Sequence, residues 1–280
     1  MLLQTTVDNI PDGYNVFAEL HSDVIWATSK PVTKDNIGGA YLTKTNDYMS
    51  LTINFDSVNY IESLANNMYI YLFDVLNYYG FKYPFRIWNF VPYINSGEGD
   101  NEVYKKFCTG RLNAFNELQL PSSEFPSASC VGTKNGRGSI TIFASKVKPT
   151  HVQNKNQINA FDYPRKYGPS SPSFARATSL CIDEHDYFFI SGTSSILGHA
   201  TIGKDLDTQL NVTEDNIKHL LKSEHNKSKP KFLTAYVRNK SDYPIVANWL
   251  DRTFPNVKNV IVAADICRSQ LLVEVECFCD

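Results

Sequence analysis

Apolar residues follow two different spacings along this chain, and segments of each kind alternate. In the first half, a spacing of three and four residues predicts helices over Val58–Tyr79 and Asn101–Leu118. Short apolar runs predict strands over Leu51–Phe55, Phe85–Val91, Ala128–Gly132 and Ser139–Ser145. The glycine-rich stretch at residues 132–138 lies between the last two runs, and we interpret it as a hairpin turn.

The same alternation returns in the second half. Helices are predicted over Glu214–Ser223, with Thr213 as its cap, and over Tyr243–Phe254. Strands are predicted over Ser179–Ile182, Tyr187–Ser191, Ser195–Thr201, Phe232–Val237, Val257–Ala263 and Leu271–Phe278. Each half therefore reads as strands, helix, strand, helix and strand, which predicts an α+β fold of two mixed sheets, each with helices packed on one face.

A polar segment that contains proline, Lys146–Lys155, is the best candidate for a linker between the halves. We therefore expect an N-terminal domain over residues 1–149 and a C-terminal domain over residues 150–280. A length of 280 residues is consistent with two modest domains.

Composition and charge exclude several classes of protein. Hydrophobic residues make up 42% of the chain and charged residues 20%, which supports a full core rather than disorder. The net charge is −2 and no polycationic tract exists, so we expect neither nucleic acid nor an anionic membrane as a partner. No apolar run reaches the roughly 18 residues that span a bilayer, and no signal peptide is visible, so we expect a cytoplasmic protein.

Cysteines and histidines offer no sign of a disulfide framework or a metal site. The six cysteines include no C-x-x-C pair, and reduced thiols are the favoured interpretation. The six histidines are scattered, and the glycine-rich stretch lacks the G-K-[ST] ending of a phosphate loop. We therefore expect neither a metal nor a cofactor.

Five segments are too polar and glycine-rich for a core, yet too patterned for a linker. In order they read R-x-W-N-x-x-P-x-I-N from Arg86, F-C-x-G-R from Phe107, Y-P-R-x-Y-G-P from Tyr163, S-G-T-x-S-I-x-G-H from Ser191, and D-I-C-R from Asp265 followed by L-L-V-E-V-E. Together they resemble the chorismatase family, enzymes that remove the enolpyruvyl group of chorismate as pyruvate. The resemblance covers roughly residues 86 to 276, and residues 1 to 80 carry no matching block.

This resemblance implies a RidA/YjgF-like (chorismate-mutase-like) α+β fold in both halves, with most of the active site in the C-terminal domain. It also implies chorismate as the small-molecule substrate, with no metal and no organic cofactor. RidA-like modules of one domain work as trimers, whereas a fused chain of two units needs no such assembly, so we expect a monomer.

Chorismate is a dianion, and the planar guanidinium of arginine suits its two carboxylates. Arg111 and Arg165 lie in matched blocks and are the candidates, although a structural or exposed ion pair is the alternative for each. Tyr163 is a candidate hydrogen-bond donor to the substrate, or else a packing residue. Gly192 and Thr193 lie between strands, where glycine permits a close approach to a ligand or simply a tight turn.

Cleavage of an enol ether begins with protonation of its terminal carbon, which calls for a carboxylic acid held protonated near neutral pH. On the final strand, Glu274 and Glu276 share one face, where repulsion and burial would raise a pKa. A solvated strand face is the commoner reason for V-E-V-E, but the family places its catalytic glutamate at the position of Glu274. Cys267 is the second catalytic candidate, because the resemblance implies that a cysteine here is typical of family members that make 3-hydroxybenzoate. The alternative is a small buried apolar residue, the usual state of a free cysteine.

Two positions depart from the family pattern. Ser194 stands where alanine or glycine is expected, and Phe161 stands where tyrosine is expected. Both departures bear on which product forms more than on which substrate binds. The leading hypothesis is therefore conversion of chorismate to pyruvate and 3-hydroxybenzoate. The alternatives are hydrolysis to a dihydroxycyclohexadienoate and pyruvate, or a RidA-like module that binds small metabolites or hydrolyses enamines.

Overall fold

The computed structural model describes residues 1–20, 24–134, 136–223 and 225–280. Its helices are α1 (Ile61–Tyr78), α2 (Val103–Glu117), α3 (Leu206–Leu221) and α4 (Tyr243–Thr253). The strands of the first half are β1 (Leu2–Thr6), β2 (Asn15–Glu19), β3 (Val24–Thr28), β4 (Thr33–Ile37), β5 (Ala40–Lys44), β6 (Tyr48–Phe55), β7 (Tyr83–Pro92), β8 (Ser127–Thr133) and β9 (Gly138–Ser145). Those of the second half are β10 (Thr150–Val152), β11 (Ala177–Ile182), β12 (His185–Thr193), β13 (Ile196–Leu197), β14 (Ala200–Thr201), β15 (Pro230–Val237), β16 (Lys258–Ala263), β17 (Asp265–Ile266) and β18 (Val273–Cys279).

A seven-stranded mixed sheet forms the first unit, in the order β17-β8-β7-β9-β6-β5-β4. Only β7 and β8 run parallel, and the other neighbours are antiparallel. Helices α1 and α2 cover one face, where their apolar residues join those of the sheet in a single core. The helices pack closely because α2 carries Gly110, where a Cβ would lie 2.0 Å from the carbonyl oxygen of Glu62 in α1.

The strand order overturns the predicted hairpin at residues 132–138. Strands β8 and β9 are not neighbours, because β7 lies between them and pairs with both. Strand β7 is buried along almost its whole length, so it occupies the middle of the sheet rather than an edge. The predicted turn includes Asn135, which lies outside the described residues.

The second unit is a six-stranded mixed sheet in the order β10-β11-β12-β18-β15-β16. Strands β15 and β16 run parallel, and the other pairs are antiparallel. Helices α3 and α4 cover one face and share a core with it. The final strand, β18, thus lies in the middle of its sheet, between β12 and β15.

The uncovered faces of the two sheets pack against each other through aromatic side chains. Trp88 and Phe143 from the first sheet and Phe189 and Phe278 from the second belong to one buried cluster. Trp26 joins them, with ring centroids 5.5 Å from Trp88 and 4.8 Å from Phe278. The layers are therefore helices, sheet, sheet and helices, which confirms the predicted α+β class.

Trp26 belongs to a third sheet, β1-β3-β2, which the sequence analysis did not predict. This small sheet covers part of the inter-sheet core and is tied to the second unit. The amide of Leu2 donates to the hydroxyl of Tyr187, and Gln4 donates to Thr234. Strands β1, β2 and β3 have five residues each, and no strand was predicted before Leu51.

Two predicted elements in the second half differ from the structure. Helix α3 begins at Leu206 rather than Glu214, and Asp205 caps it by accepting a hydrogen bond from the Thr208 amide at 2.8 Å. Thr213, the predicted cap, is buried within the helix. The strand predicted over residues 195–201 is instead a small hairpin of β13 and β14.

In the part of the chain that the structure describes, no helix is both long and apolar enough to cross a membrane.

Candidate active site

A cavity of about 290 Å³ lies where β8 of the first sheet meets β12 and β18 of the second. Helix α2, the segment before β11 and the loop between β17 and β18 complete its wall. This volume is near the lower end of the range for small-molecule sites, about 300 Å³ and upwards. Both units thus contribute to one site.

Glu274 projects from β18 into this cavity, and only 4% of it is exposed. Among the described residues, its carboxyl group has one side-chain hydrogen-bond contact, from the Ser194 hydroxyl to Oε2 at 3.4 Å. Burial and, next, repulsion from Glu276 raise the pKa of Glu274 to about 8. A carboxylic acid that keeps its proton at neutral pH therefore faces the cavity.

Gly192 makes room for this carboxyl group. A Cβ at Gly192 would lie 2.0 Å from Oε1 of Glu274, so any larger residue would displace the acid. The pairing of β12 with β18 is irregular between Ile190 and Thr193, the stretch that contains Gly192. Thr193 does not reach the cavity, because its buried hydroxyl donates to the Ser191 carbonyl oxygen at 2.8 Å.

Arg111 is a buried cation in the cavity wall. It lies on α2, is 1% exposed, and its guanidinium lies over the ring of Phe107 at 5.7 Å. Its Nε has no hydrogen-bond partner, and no carboxylate of the described residues is within salt-bridge distance. A desolvated guanidinium without an anion is suited to bind an anionic ligand.

Arg165 does not lie in the cavity, contrary to the expectation from its block. Its side chain is 65% exposed and forms a bidentate pair with Asp100, at 3.0 and 2.5 Å. The reason is a single 3-10 turn over residues 165–167, which directs Lys166 and Tyr167 to the cavity and Arg165 to solvent. The prediction that Arg165 contacts the substrate is therefore not supported by its position.

Two other arginines line the cavity in its place. Arg176 is 6% exposed, donates to the hydroxyl of Tyr163 at 2.8 Å, and has an unpartnered Nε. Arg268 stacks on the ring of Tyr167 at 3.9 Å and donates to the carbonyl oxygen of His199. Among the described residues neither has a carboxylate partner.

Neither of these arginines was predicted to have a role from the sequence. Arg268 belongs to the D-I-C-R block, so the sequence contained a feature that pointed to it. Arg176 lies outside every block, and only the fold places it beside Tyr163. Tyr163 lines the cavity and accepts a hydrogen bond that orients Arg176, and its proposed contact with the substrate stays a prediction.

Cys267 lines the same cavity, in the loop that leads to β18. Burial raises the pKa of its thiol to about 12, so the side chain is a neutral thiol. Asn95, the last residue of the first block, holds this loop by donating to the carbonyl oxygens of Ile266 at 3.0 Å and Cys267 at 3.4 Å.

The cavity is cationic although the chain as a whole carries a net charge of −2. Its described lining includes the basic residues Lys105, Arg111, Lys166, Arg176 and Arg268, and the acidic residues Glu102 and Glu274. Glu102 is paired with Lys105, and Glu274 is neutral when protonated. The remaining cations favour a ligand with more than one negative charge.

Comparison with known proteins identifies the family. Residues 24–144 match a family model described as chorismatase FkbO/Hyg5-like, N-terminal. A chorismatase from Streptomyces hygroscopicus is 30% identical over 267 residues, which cover 90% of this chain and 77% of that protein. This chain belongs to the chorismatase family.

A further relative supports the same placement. A 3-hydroxybenzoate synthase from Streptomyces hygroscopicus is 34% identical over 226 residues, 74% of this chain and 66% of the length of that synthase. The crystal structure of a chorismatase has the same fold, with a TM-score of 0.87 at 24% identity, covering 100% of this chain and 98% of the other.

Burial of the acid has a cost that depends on pH, and Glu274→Gln measures it. Between the usual carboxyl pKa of 4.5 and about 8, the folded state holds a proton that the unfolded chain releases, so stability falls as pH rises. In this chorismatase-family chain, we expect Glu274→Gln to raise the free energy of unfolding at pH 8.5 by about 2 kcal/mol, and less at pH 5. Thermal unfolding at both pH values is the measurement.

Glu214→Gln is the matched control. Burial acts to raise the pKa of Glu214, but hydrogen bonds from Lys218, Thr253 and Trp249 outweigh burial and hold this pKa below its usual value. Its replacement should therefore destabilise the protein, and more at pH 8.5 than at pH 4. A change for Glu274→Gln that is equal at both pH values would contradict the buried acid.

Proposed function

We propose that this chain is a chorismatase that converts chorismate to pyruvate and 3-hydroxybenzoate, with Glu274 as the general acid. The observation that carries the proposal is one cavity that holds a buried, protonated carboxyl group and three arginines without carboxylate partners. An acid of this kind suits slow protonation at carbon, and the arginines suit a dianion. The relatives named chorismatase and 3-hydroxybenzoate synthase support the same substrate.

The reaction requires one proton transfer from Glu274. Its carboxyl group protonates the terminal methylene carbon of the enolpyruvyl group, which creates an oxocarbenium ion and leaves Glu274 as the carboxylate. The ring hydroxyl oxygen of the substrate then bonds to the ring carbon that carries the ether, and the C–O bond from that carbon to the protonated enolpyruvyl group breaks. The electron pair of the broken bond completes the carbonyl group of pyruvate. Aromatisation releases a proton from the ring, which restores Glu274, and no water is consumed.

The arginines are assigned to the two carboxylates of the substrate. Arg111 is the candidate for one, because its guanidinium is buried in the wall formed by α2, its Nε has no hydrogen-bond partner, and no carboxylate of the described residues pairs with it. Arg176 and Arg268 are the candidates for the other, because both contact the tyrosines of the 160–169 loop. A carboxylate bound to such a donor fork is held in a defined orientation relative to the acid.

Hydrolysis of chorismate to a dihydroxycyclohexadienoate and pyruvate is the second candidate. The observation that favours it is the hydroxyl of Ser194, 3.4 Å from the Glu274 carboxyl group, which places a polar group where water can bind. Cys267 favours the first candidate, since a neutral thiol in the same cavity is the feature typical of the 3-hydroxybenzoate branch.

We further propose that the chain acts as a monomer, because both of its large sheets line the described cavity. We further propose that residues 1–149 and 150–280 are the two units between which chorismate binds.

Glu274→Gln tests the acid. It keeps the shape of the side chain and removes the transferable proton, so we expect pyruvate release from chorismate to fall by about 10²–10⁴-fold. Chromatography of the organic acids formed by wild type and variant is the measurement. Full pyruvate release by the variant would place the acid elsewhere, and no pyruvate from the wild type would refute the function.

The arginines can be compared with a built-in control. Because Arg111 and Arg268 line the cavity, replacement of either by alanine should weaken chorismate binding by about 2–4 kcal/mol. Arg165→Ala should leave binding nearly unchanged, since Arg165 is exposed and paired with Asp100. Titration calorimetry on the Glu274→Gln background avoids turnover. A large effect of Arg165→Ala alone would reverse the assignment.

Cys267→Ala tests the branch between products. We expect pyruvate release to stay within about tenfold of wild type, because the acid is untouched, while the ring product shifts from 3-hydroxybenzoate towards the hydrolysis product. Quantification of pyruvate and both ring acids in parallel is the measurement. Cys181→Ala, which removes an exposed cysteine, is the control. An unchanged product ratio would exclude Cys267 from the branch point.

A further inference from the structure

A second glutamate lies two residues beyond the candidate acid, on the same face of β18. Glu276 is 3% exposed and faces the space between the two sheets. Its carboxylate accepts hydrogen bonds from Nη2 of Arg86 at 2.5 Å, from the Ser129 hydroxyl at 2.6 Å, and from Nε1 of Trp88 at 3.1 Å. Three donors on one buried carboxylate favour its charged form.

All three donors come from the opposite sheet. Arg86 and Trp88 lie two residues apart on the same face of β7, with the guanidinium 4.6 Å from the indole ring. Ser129 lies on the neighbouring strand β8. The Arg86–Glu276 pair is therefore fully buried between two apolar faces. Buried ion pairs contribute little net stability compared with apolar residues of similar size, so this network indicates a role besides folding.

The two glutamates differ in the hydrogen bonds that their carboxyl groups accept. Glu276 accepts three hydrogen bonds, whereas Glu274 has a single contact at 3.4 Å with Ser194. Like charges in one desolvated space cannot both ionise at low cost. The donors decide which group carries the charge, and they leave the proton on the group that faces the cavity.

We propose that Glu276 is a positioning residue whose carboxylate, held by Arg86, Trp88 and Ser129, keeps Glu274 protonated at the pH of catalysis. This inference rests on the proposed function of Glu274. It assigns the first sequence block a purpose other than substrate contact, since its arginine and tryptophan both bind the second glutamate.

Ser129 connects the network to the site itself. Its hydroxyl accepts hydrogen bonds from Arg86 at 2.6 Å and from the backbone amide of Gly192 at 3.0 Å, so its own proton is directed to Glu276. Gly192 is the residue that leaves space for Glu274. One side chain therefore positions both the charge of Glu276 and the wall beside the acid.

The other groups that face Glu274 do not supply a competing negative charge. They come from five further elements or segments: Arg86 on β7, Cys130 on β8, Arg176 before β11, Tyr236 on β15 and Cys267 before β18. Burial raises the pKa of the tyrosine and both thiols well above neutrality, so these groups are uncharged. Arg86 is already paired with Glu276.

The pH dependence of pyruvate release by Glu276→Gln tests the proposal. A neutral amide at this position removes the repulsion and frees Arg86, so Glu274 should ionise at lower pH. We expect the falling limb of the rate at high pH to move down by about one pH unit or more. A loss of rate with the limb in its wild-type position would indicate a merely structural role and overturn the proposal.

Two variants separate charge from shape. Glu276→Asp keeps the negative charge and should move the limb less than Glu276→Gln; an equal shift would show that charge is not the cause. Glu214→Gln is the matched control, because Glu214 also accepts an indole N–H, from Trp249 at 3.0 Å, but lies on α3 in the outer layer. A comparable shift in this control would overturn the assignment to Glu276.

A titration independent of activity separates this inference from the proposed function. With ¹³C-labelled glutamate carboxyl groups, NMR of the wild type should show one carboxyl group that titrates near pH 8, assigned by its absence in Glu274→Gln. In Glu276→Gln the Glu274 signal should titrate at lower pH, and in Glu276→Asp, which keeps the charge, it should stay nearer to pH 8. An unmoved Glu274 titration in Glu276→Gln would overturn the proposal even in an active enzyme, and a shift to lower pH would sustain it in an inactive one.

Discussion

The burial of two carboxyl groups on the central strand of the second sheet is the constraint on which this structure depends. Neither group can be left charged and unpaired between two apolar faces. Cross-sheet donors stabilise Glu276 as a carboxylate, and Glu274 remains a neutral acid. The packing of β7 against β18 therefore matters as much as the identity of the acid, because only this packing brings Arg86 and Trp88 to Glu276.

A neutral acid also leaves the charge of the cavity to its arginines. If Glu274 were ionised, it would compete with a dianionic substrate for Arg176, which already lies among the charges that act on it. Since the acid is protonated and the remaining acidic lining residue is paired with a lysine, the three arginines are available to an anion. The same burial thus favours both proton donation and substrate binding.

Part of this site could be predicted from the sequence, and the missing part has a physical explanation. The alternation of β18 placed Glu274 and Glu276 on one face, and the matched blocks supplied Arg111, Tyr163, Gly192, Ser194 and Cys267, all of which line the cavity. Arg165 was misplaced because one 3-10 turn reverses the direction of adjacent side chains. The assigned roles, like the domain boundary after residue 149, stay predictions.

The fold divides in the same way. Periodicity alone predicted α1, α2, α4 and most strands from β6 to β18, because it reports how each segment buries one of its own faces. It could not predict that β7 separates β8 from β9, or that the short strands before residue 29 cover the inter-sheet core. Strand order, the partners of Glu276 and the arginines that reach the cavity depend on contacts between distant residues, which only the tertiary structure decides.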